Sequence, residues 1–179
     1  FRGTGCTHQG VCGKDPETAA LQDLTVHALK GLAWYGWRAR EVGRADIETG
    51  RLIAAGLFYT VTNVNFDPLR FQPLLEEIAR RRDRVREDYL EAARAAGREP
   101  GEPVAAAAWE PAEGLADLVA QGRECSVADR IERRGEDAAG LAELLTYGLK
   151  GTAAYAHHAR ELGQEDEEVY AFFEEALAW

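Results

Sequence analysis

At 179 residues, 46% of them apolar, the chain suits one domain, or two small lobes on a shared core, with no need of disulfides or metal to fold. Its net charge of −10 excludes the basic face that nucleic-acid phosphates or an anionic membrane surface demand. No apolar run approaches the ~20 residues of a bilayer span, and Phe1-Arg2-Gly3-Thr4-Gly5 lacks the apolar core of a signal peptide.

Residues 1–14 read as a glycine-rich loop carrying Cys6 and Cys12. Asp15-Pro16-Glu17 then predicts a helix start: an acceptor for free N–H groups, a proline suited to the first position, and an acid facing the dipole. Leu21, Leu24, Ala28, Leu32, Tyr35, Ala39 and Val42 continue at helical spacing as far as Gly43. A second, well-buried helix is predicted over 46–62, and Asn63–Phe66 is a connection. Asp67-Pro68 repeats the cap-then-proline signal and should open a long helix ending near Gly97. The Gly- and Pro-rich stretch 98–112 reads as a linker between lobes at 15–97 and 113–179. Beyond it come a short helix at 115–120, an ambiguous stretch at 122–136, a long helix over 138–162 and a last one from 165. No period-2 strand is present. The predicted class is all-α, built of antiparallel up-down helical bundles with short loops.

The basic run Arg80-Arg81-Arg82-Asp83-Arg84-Val85-Arg86 is flanked by acids. It reads as a solvated helix face laced by the pairs Glu76/Arg80, Glu77/Arg81 and Arg84/Asp88. Glu167-Glu168 and Glu174-Glu175 read as solvated too.

The chain echoes itself. Ala28-Leu29-Lys30-Gly31-Leu32-Ala33-Trp34-Tyr35 resembles Gly148-Leu149-Lys150-Gly151-Thr152-Ala153-Ala154-Tyr155, and Ala39–Gly43 resembles Ala159–Gly163, at a constant offset of 120 positions. Two related helical lobes are therefore expected. A glycine within a helix costs ~1 kcal/mol relative to alanine, so Gly31 and Gly151 should each mark a close approach between elements.

Chemistry concentrates in Gly5-Cys6-Thr7-His8-Gln9-Gly10-Val11-Cys12-Gly13-Lys14. Glycines would let both sulfurs turn toward one point, and the following helix offers its positive end. Soft thiolates suit an iron–sulfur cluster or zinc. Zinc would draw on Cys6, His8 and Cys12, and two unliganded loop cysteines are the third option. Cys125 and His27 read as packed or surface side chains, and His157-His158 diverge too far around a helix to share a metal. Three cysteines, an odd number, fit a reducing cytoplasm better than a disulfide framework. The lack of any methionine predicts that polypeptide precedes Phe1.

Gly3–Cys6 through Gly10-Val11-Cys12-Gly13-Lys14, with Pro16-Glu17-Thr18-Ala19 and Leu21-Gln22-Asp23-Leu24, closely resembles the start of the hybrid-cluster proteins (the prismane or hydroxylamine reductase family). So do Leu57–Asp67 and Leu144–Gly151 with Ala153–Ala156. The resemblance implies an N-terminal helical domain followed by two α/β domains. It also implies a [4Fe–4S] cluster ([2Fe–2S] in some members) held by an upstream Cys-x-x-Cys pair, absent from this sequence, and two later cysteines matching Cys6 and Cys12. A catalytic hybrid iron–sulfur–oxygen cluster would lie in the later domains. The implied activity is reduction of hydroxylamine to ammonia, or of nitric oxide, fed by an electron donor protein through the first cluster. Surface normally covered by the α/β domains should be apolar and open here, and self-association is expected of this chain alone.

Overall fold

The computed structural model describes residues 12–178. Seven α-helices account for most of them, and among the described residues there is no strand. The first, α1, is Pro16–Glu41, with Asp15 Oδ1 accepting from the Thr18 N–H at 2.7 Å. Asp46 caps α2, Ile47–Tyr59, in the same way through the Glu48 N–H. α3 is Phe71–Ala95, α4 Leu115–Glu124 and α5 Val127–Arg134; α6 is Glu136–Glu161 and α7 Glu167–Leu177. Among the described residues, no helix is long and apolar enough to cross a membrane.

Departures from the predicted bounds have local causes. Asp67 does act as a cap, accepting from the Leu69 N–H at 3.0 Å, but it opens only a 3-10 turn at Pro68–Arg70. Pro73 has no N–H to give the Leu69 carbonyl, so the regular α-helix begins only at Phe71. α2 stops at Tyr59 because the Thr60 hydroxyl takes the Leu57 carbonyl at 2.7 Å. The ambiguous stretch holds α5, started by Ser126, whose Oγ accepts from the Asp129 N–H at 3.2 Å. Within the Gly- and Pro-rich stretch, Ala105–Ala108 forms a second 3-10 turn with Ala106 and Ala107 buried.

α1 is the hub. Leu21, Leu24, Leu29, Leu32 and Ala33 on it are fully sealed from solvent. On one side it meets α3, α4 and the Ala105–Ala108 turn, and on the other α2 and α7. α2 in turn packs on α6 and α7. The internal echo is a structural repeat. α1 and α6 each span 26 residues, both are followed by a glycine at positive φ (Gly43 at +75°, Gly163 at +76°), and Asp46 and Asp166 cap the next helix alike.

The two helix glycines part company. A Cβ on Gly31 would come within 2.1 Å of the Ala106 carbonyl oxygen, the expected close approach, whereas Gly151 has nothing within 4 Å. Two charge expectations also need correction. Glu174 is not solvated: it is buried and accepts from Arg40 Nε at 3.0 Å. Arg82 is buried within the basic run. The run's other pairs differ as well, since Arg80 joins Glu77 at 2.6 Å and Arg81 reaches Asp46 at 2.8 Å.

Candidate functional site

Cys12 is half-buried, carries no disulfide, and stands four positions ahead of Pro16 at the start of α1. Cys6 and His8 lie outside the described residues. Gly13 comes next at φ +90°, a conformation L side chains rarely adopt. That turn directs Lys14 inward. Its buried Nζ donates to the Val61 carbonyl at 2.9 Å and sits 5.3 Å from the centre of the Phe66 ring. The loop over 60–67 is firm in its own right: buried Asn65 accepts from the Asp67 N–H at 3.1 Å. Lys14 therefore ties residues 12–14 to the Asn-containing loop after α2.

Behind these loops α1, α5 and α6 gather charge. Arg130 of α5 lies 2.8 Å from Glu143 and 3.8 Å from Asp23. Lys150 is within electrostatic reach of Asp23, Glu143, Arg130 and Lys14. Burial pushes the Asp23 carboxyl up to about 6, against the pull of Arg130 and Lys150. The same burial lowers Lys30 and Lys150 from the usual lysine range and His27 from the usual histidine range. Cys125 is pushed up to about 11, chiefly by burial with Arg130 opposing, so it stays a thiol at neutral pH and suits a packing role.

The sequence reading missed this cluster, although its signal was present. Asp23 and Glu143 stand 120 positions apart, as do Lys30 and Lys150. The repeat that places two equivalent helices also places two equivalent acid–base pairs around Arg130.

A raised carboxyl has a stability signature. Folded Asp23 holds its proton up to about pH 6, whereas the unfolded residue releases it near 3.8. Stability contributed by the protonated form is full below the lower value and lost as pH rises through the upper one. For a side chain with one partly open face, the loss is roughly 1–2 kcal/mol after allowing for screening. Asp23→Asn should flatten this decline. Urea unfolding at several pH values between 4 and 7 reads it, and equal slopes for variant and parent would refute the assignment.

Among the described residues, no three His, Cys, Asp or Glu side chains are grouped to hold a metal ion. His157 stacks on Phe58 with ring centres 4.5 Å apart, and its ring centre lies 5.7 Å from that of His158. As a donor, Cys12 fits an iron–sulfur centre: a soft thiol without a disulfide, next to a helix N-terminus and a buried lysine. One thiolate does not complete a ligand set, and the rest of any such set lies outside the described residues.

Comparison with known proteins covers nearly the whole chain. The family model described as Prismane/CO dehydrogenase family matches residues 2–179. A hydroxylamine reductase of Burkholderia lata is 47% identical over 98% of this chain and 32% of its own length, and one of Rhodospirillum rubrum gives the same values. A hydroxylamine reductase of Geobacter sulfurreducens is 44% identical over 99% of this chain and 32% of its own. The chain thus spans about a third of the length of the curated relatives it matches. With a family match over nearly every residue, an all-helical fold and the cysteine loop within the matched region, the chain belongs to the Prismane/CO dehydrogenase family.

Proposed function

We propose that this chain is the N-terminal helical domain of a hydroxylamine-reducing hybrid-cluster enzyme, and that it serves as electron relay and scaffold. In this reading Cys6 and Cys12 give two of the four thiolates of a [4Fe–4S] cluster, with an upstream cysteine pair giving the others. When bound, such a cluster supplies one-electron transfer. The hybrid iron–sulfur–oxygen cluster that performs the reduction of hydroxylamine, or of nitric oxide, belongs to α/β domains outside this chain. An electron donor protein is the remaining partner, and the reducing cytoplasm the compartment.

The observation that carries the reading is how Cys12 is held. Gly13 turns the backbone, Lys14 anchors the loop through Val61, and Asp15 opens α1. Lys14, two positions on from Cys12, fixes that end of the loop against the Val61 carbonyl. The helix N-terminus that follows favours anionic sulfur. Lys150, Asp23 and Arg130 extend the charged layer behind it.

The test is anaerobic iron and acid-labile sulfide analysis of the chain extended through its upstream cysteine pair, with Cys6→Ser/Cys12→Ser as comparison. Close to four irons and four sulfides per chain are expected, and they should be lost in the double variant. Zinc in their place would favour a Cys6, His8 and Cys12 zinc site in an interaction module. No metal at all would leave a structural helical module.

A further inference from the structure

The repeat carries a complete ion pair on one side and half of it on the other. Exchanging its two halves sends α1 onto α6 and α7 onto α2, and both pairings exist: α1 packs on α7, and α6 on α2. Arg40 of α1 meets Glu174 of α7, Nε to Oε2 at 3.0 Å, and the Glu174 side chain is only 1% exposed. The equivalent residues, each 120 positions away, are Arg160 of α6 and Ala54 of α2. The arginine is kept and its acid is not.

Arg160 and Ala54 do come together, on the wall of a small cavity, with Arg51, Ala156, His157 and Tyr170 beside them. The other polar groups there are engaged. Arg51 pairs with Glu48 and Glu165, the Tyr170 hydroxyl donates to Glu165 at 3.0 Å, and His157 stacks on Phe58. Among the described residues, the half-buried Arg160 guanidinium has no hydrogen-bond or ion-pair partner, and Glu165 acts on it only as a more distant charge. A guanidinium stays charged at any working pH, and a charge drawn out of water calls for a counter-charge.

The size of the cavity decides which one. At the first site Gly36 makes room for a whole carboxylate: a Cβ there would lie 3.2 Å from both Cγ and Cδ of Glu174. At the second, Ala156 stands in the place of Gly36, and its methyl group narrows the space. What is left is about 10 Å³, room for a single water-sized body.

We propose that this cavity binds one monovalent anion of about chloride's size. The anion joins Arg160 of α6 to α2 as the Glu174 carboxylate joins Arg40 of α1 to α7. The site stands apart from the cysteine loop and from the reading of that loop as a cluster ligand.

Thermal unfolding of the chain is compared in sodium chloride and in sodium gluconate at equal ionic strength. Screening is then matched, and only the smaller anion fits the cavity. The Tm should be higher by about 3 °C or more in about 0.2 M chloride. That gain should vanish in Arg160→Gln. It should vanish as well in Ala54→Glu/Ala156→Gly, which rebuilds the first site with a carboxylate of its own. Crystals grown in sodium bromide should show an anomalous peak in the cavity, against the Arg160 guanidinium. An equal chloride gain in Arg160→Gln would mark a bulk salt effect and overturn the proposal. So would a gain that persists in the rebuilt chain; if that chain does not fold, Arg160→Gln and the bromide map decide alone. A cavity without a bromide peak holds water only, and a peak without any gain in Tm marks an adventitious ion only; either result would overturn the proposal.

Discussion

Gly50→Ala is expected to destabilise the fold by roughly 2–3 kcal/mol, although alanine is the better helix former by ~1 kcal/mol. Gly50 and Tyr170 stand 120 positions apart, so they are the same residue of the repeat. α2 and α7 cross where equivalent positions face each other. A Cβ on Gly50 would lie 2.3 Å from the Tyr170 Cβ and 2.8 Å from its Cγ. These atoms sit at the root of the side chain, so no rotamer change removes the overlap. Two full side chains cannot share a symmetric crossing, and the sequence resolves this by leaving one of them out. Tyr170 uses the space: it is buried, and its hydroxyl donates to Glu165 Oε2 at 3.0 Å. The double variant Gly50→Ala/Tyr170→Gly relieves the overlap, so the two changes should cost less together than their sum, a coupling of about 1 kcal/mol or more. Urea unfolding of the four chains completes the cycle. A Gly50→Ala chain as stable as the parent would refute the crossing described here.

Local signals were legible. Asp15 and Asp67 each announced a helical turn by chemistry that acts within three residues, and each does cap one. The 120-residue echo was equally plain, because a repeat needs no knowledge of packing. What the sequence withheld depends on partners far along the chain. Gly31 and Gly151 look alike in one dimension, and only the Ala105–Ala108 turn makes the first a contact point. Glu174 sits in an acidic pair that reads as solvated, until Arg40, 134 positions away, reaches it. Burial of Glu174 raises its carboxyl above the usual range, with Arg40 opposing. At the candidate site, the cysteine spacing and the glycines around it pointed to sulfur chemistry, but Cys6 lies outside the described residues. Lys14 could not be read from the sequence as an anchor, because its partner is a backbone carbonyl, which has no side-chain signature.

Arg82→Ala is expected to cost roughly 2–4 kcal/mol, while Arg84→Ala, two positions on, should change stability by less than about 0.5 kcal/mol. In the sequence the two arginines are indistinguishable members of one basic run. In the fold Arg82 is buried, and its guanidinium donates to the Trp109 carbonyl, to Asp83 at 2.7 Å and to Glu110 at 2.9 Å. The carboxylates of Asp83 and Glu110 remain open to water and would be resolvated after truncation. The cost is therefore below that of breaking a fully buried ion pair. What remains is the cavity and an unsatisfied Trp109 carbonyl. Arg82→Lys keeps the charge but loses the planar fork, and should fall about midway. Trp109 is held from its other side by Gln121 of α4, through Nε1–H to Oε1 at 3.2 Å. Arg82 and Gln121 thus clamp the segment whose Ala106 and Ala107 cover Gly31 of α1. Freed from Arg82, this segment should also become cleavable by protease within 98–112 before the helices unfold. Urea midpoints of the three variants, with timed proteolysis, measure both effects. If Arg82→Ala behaved like Arg84→Ala, the covering segment would be held by its alanines alone.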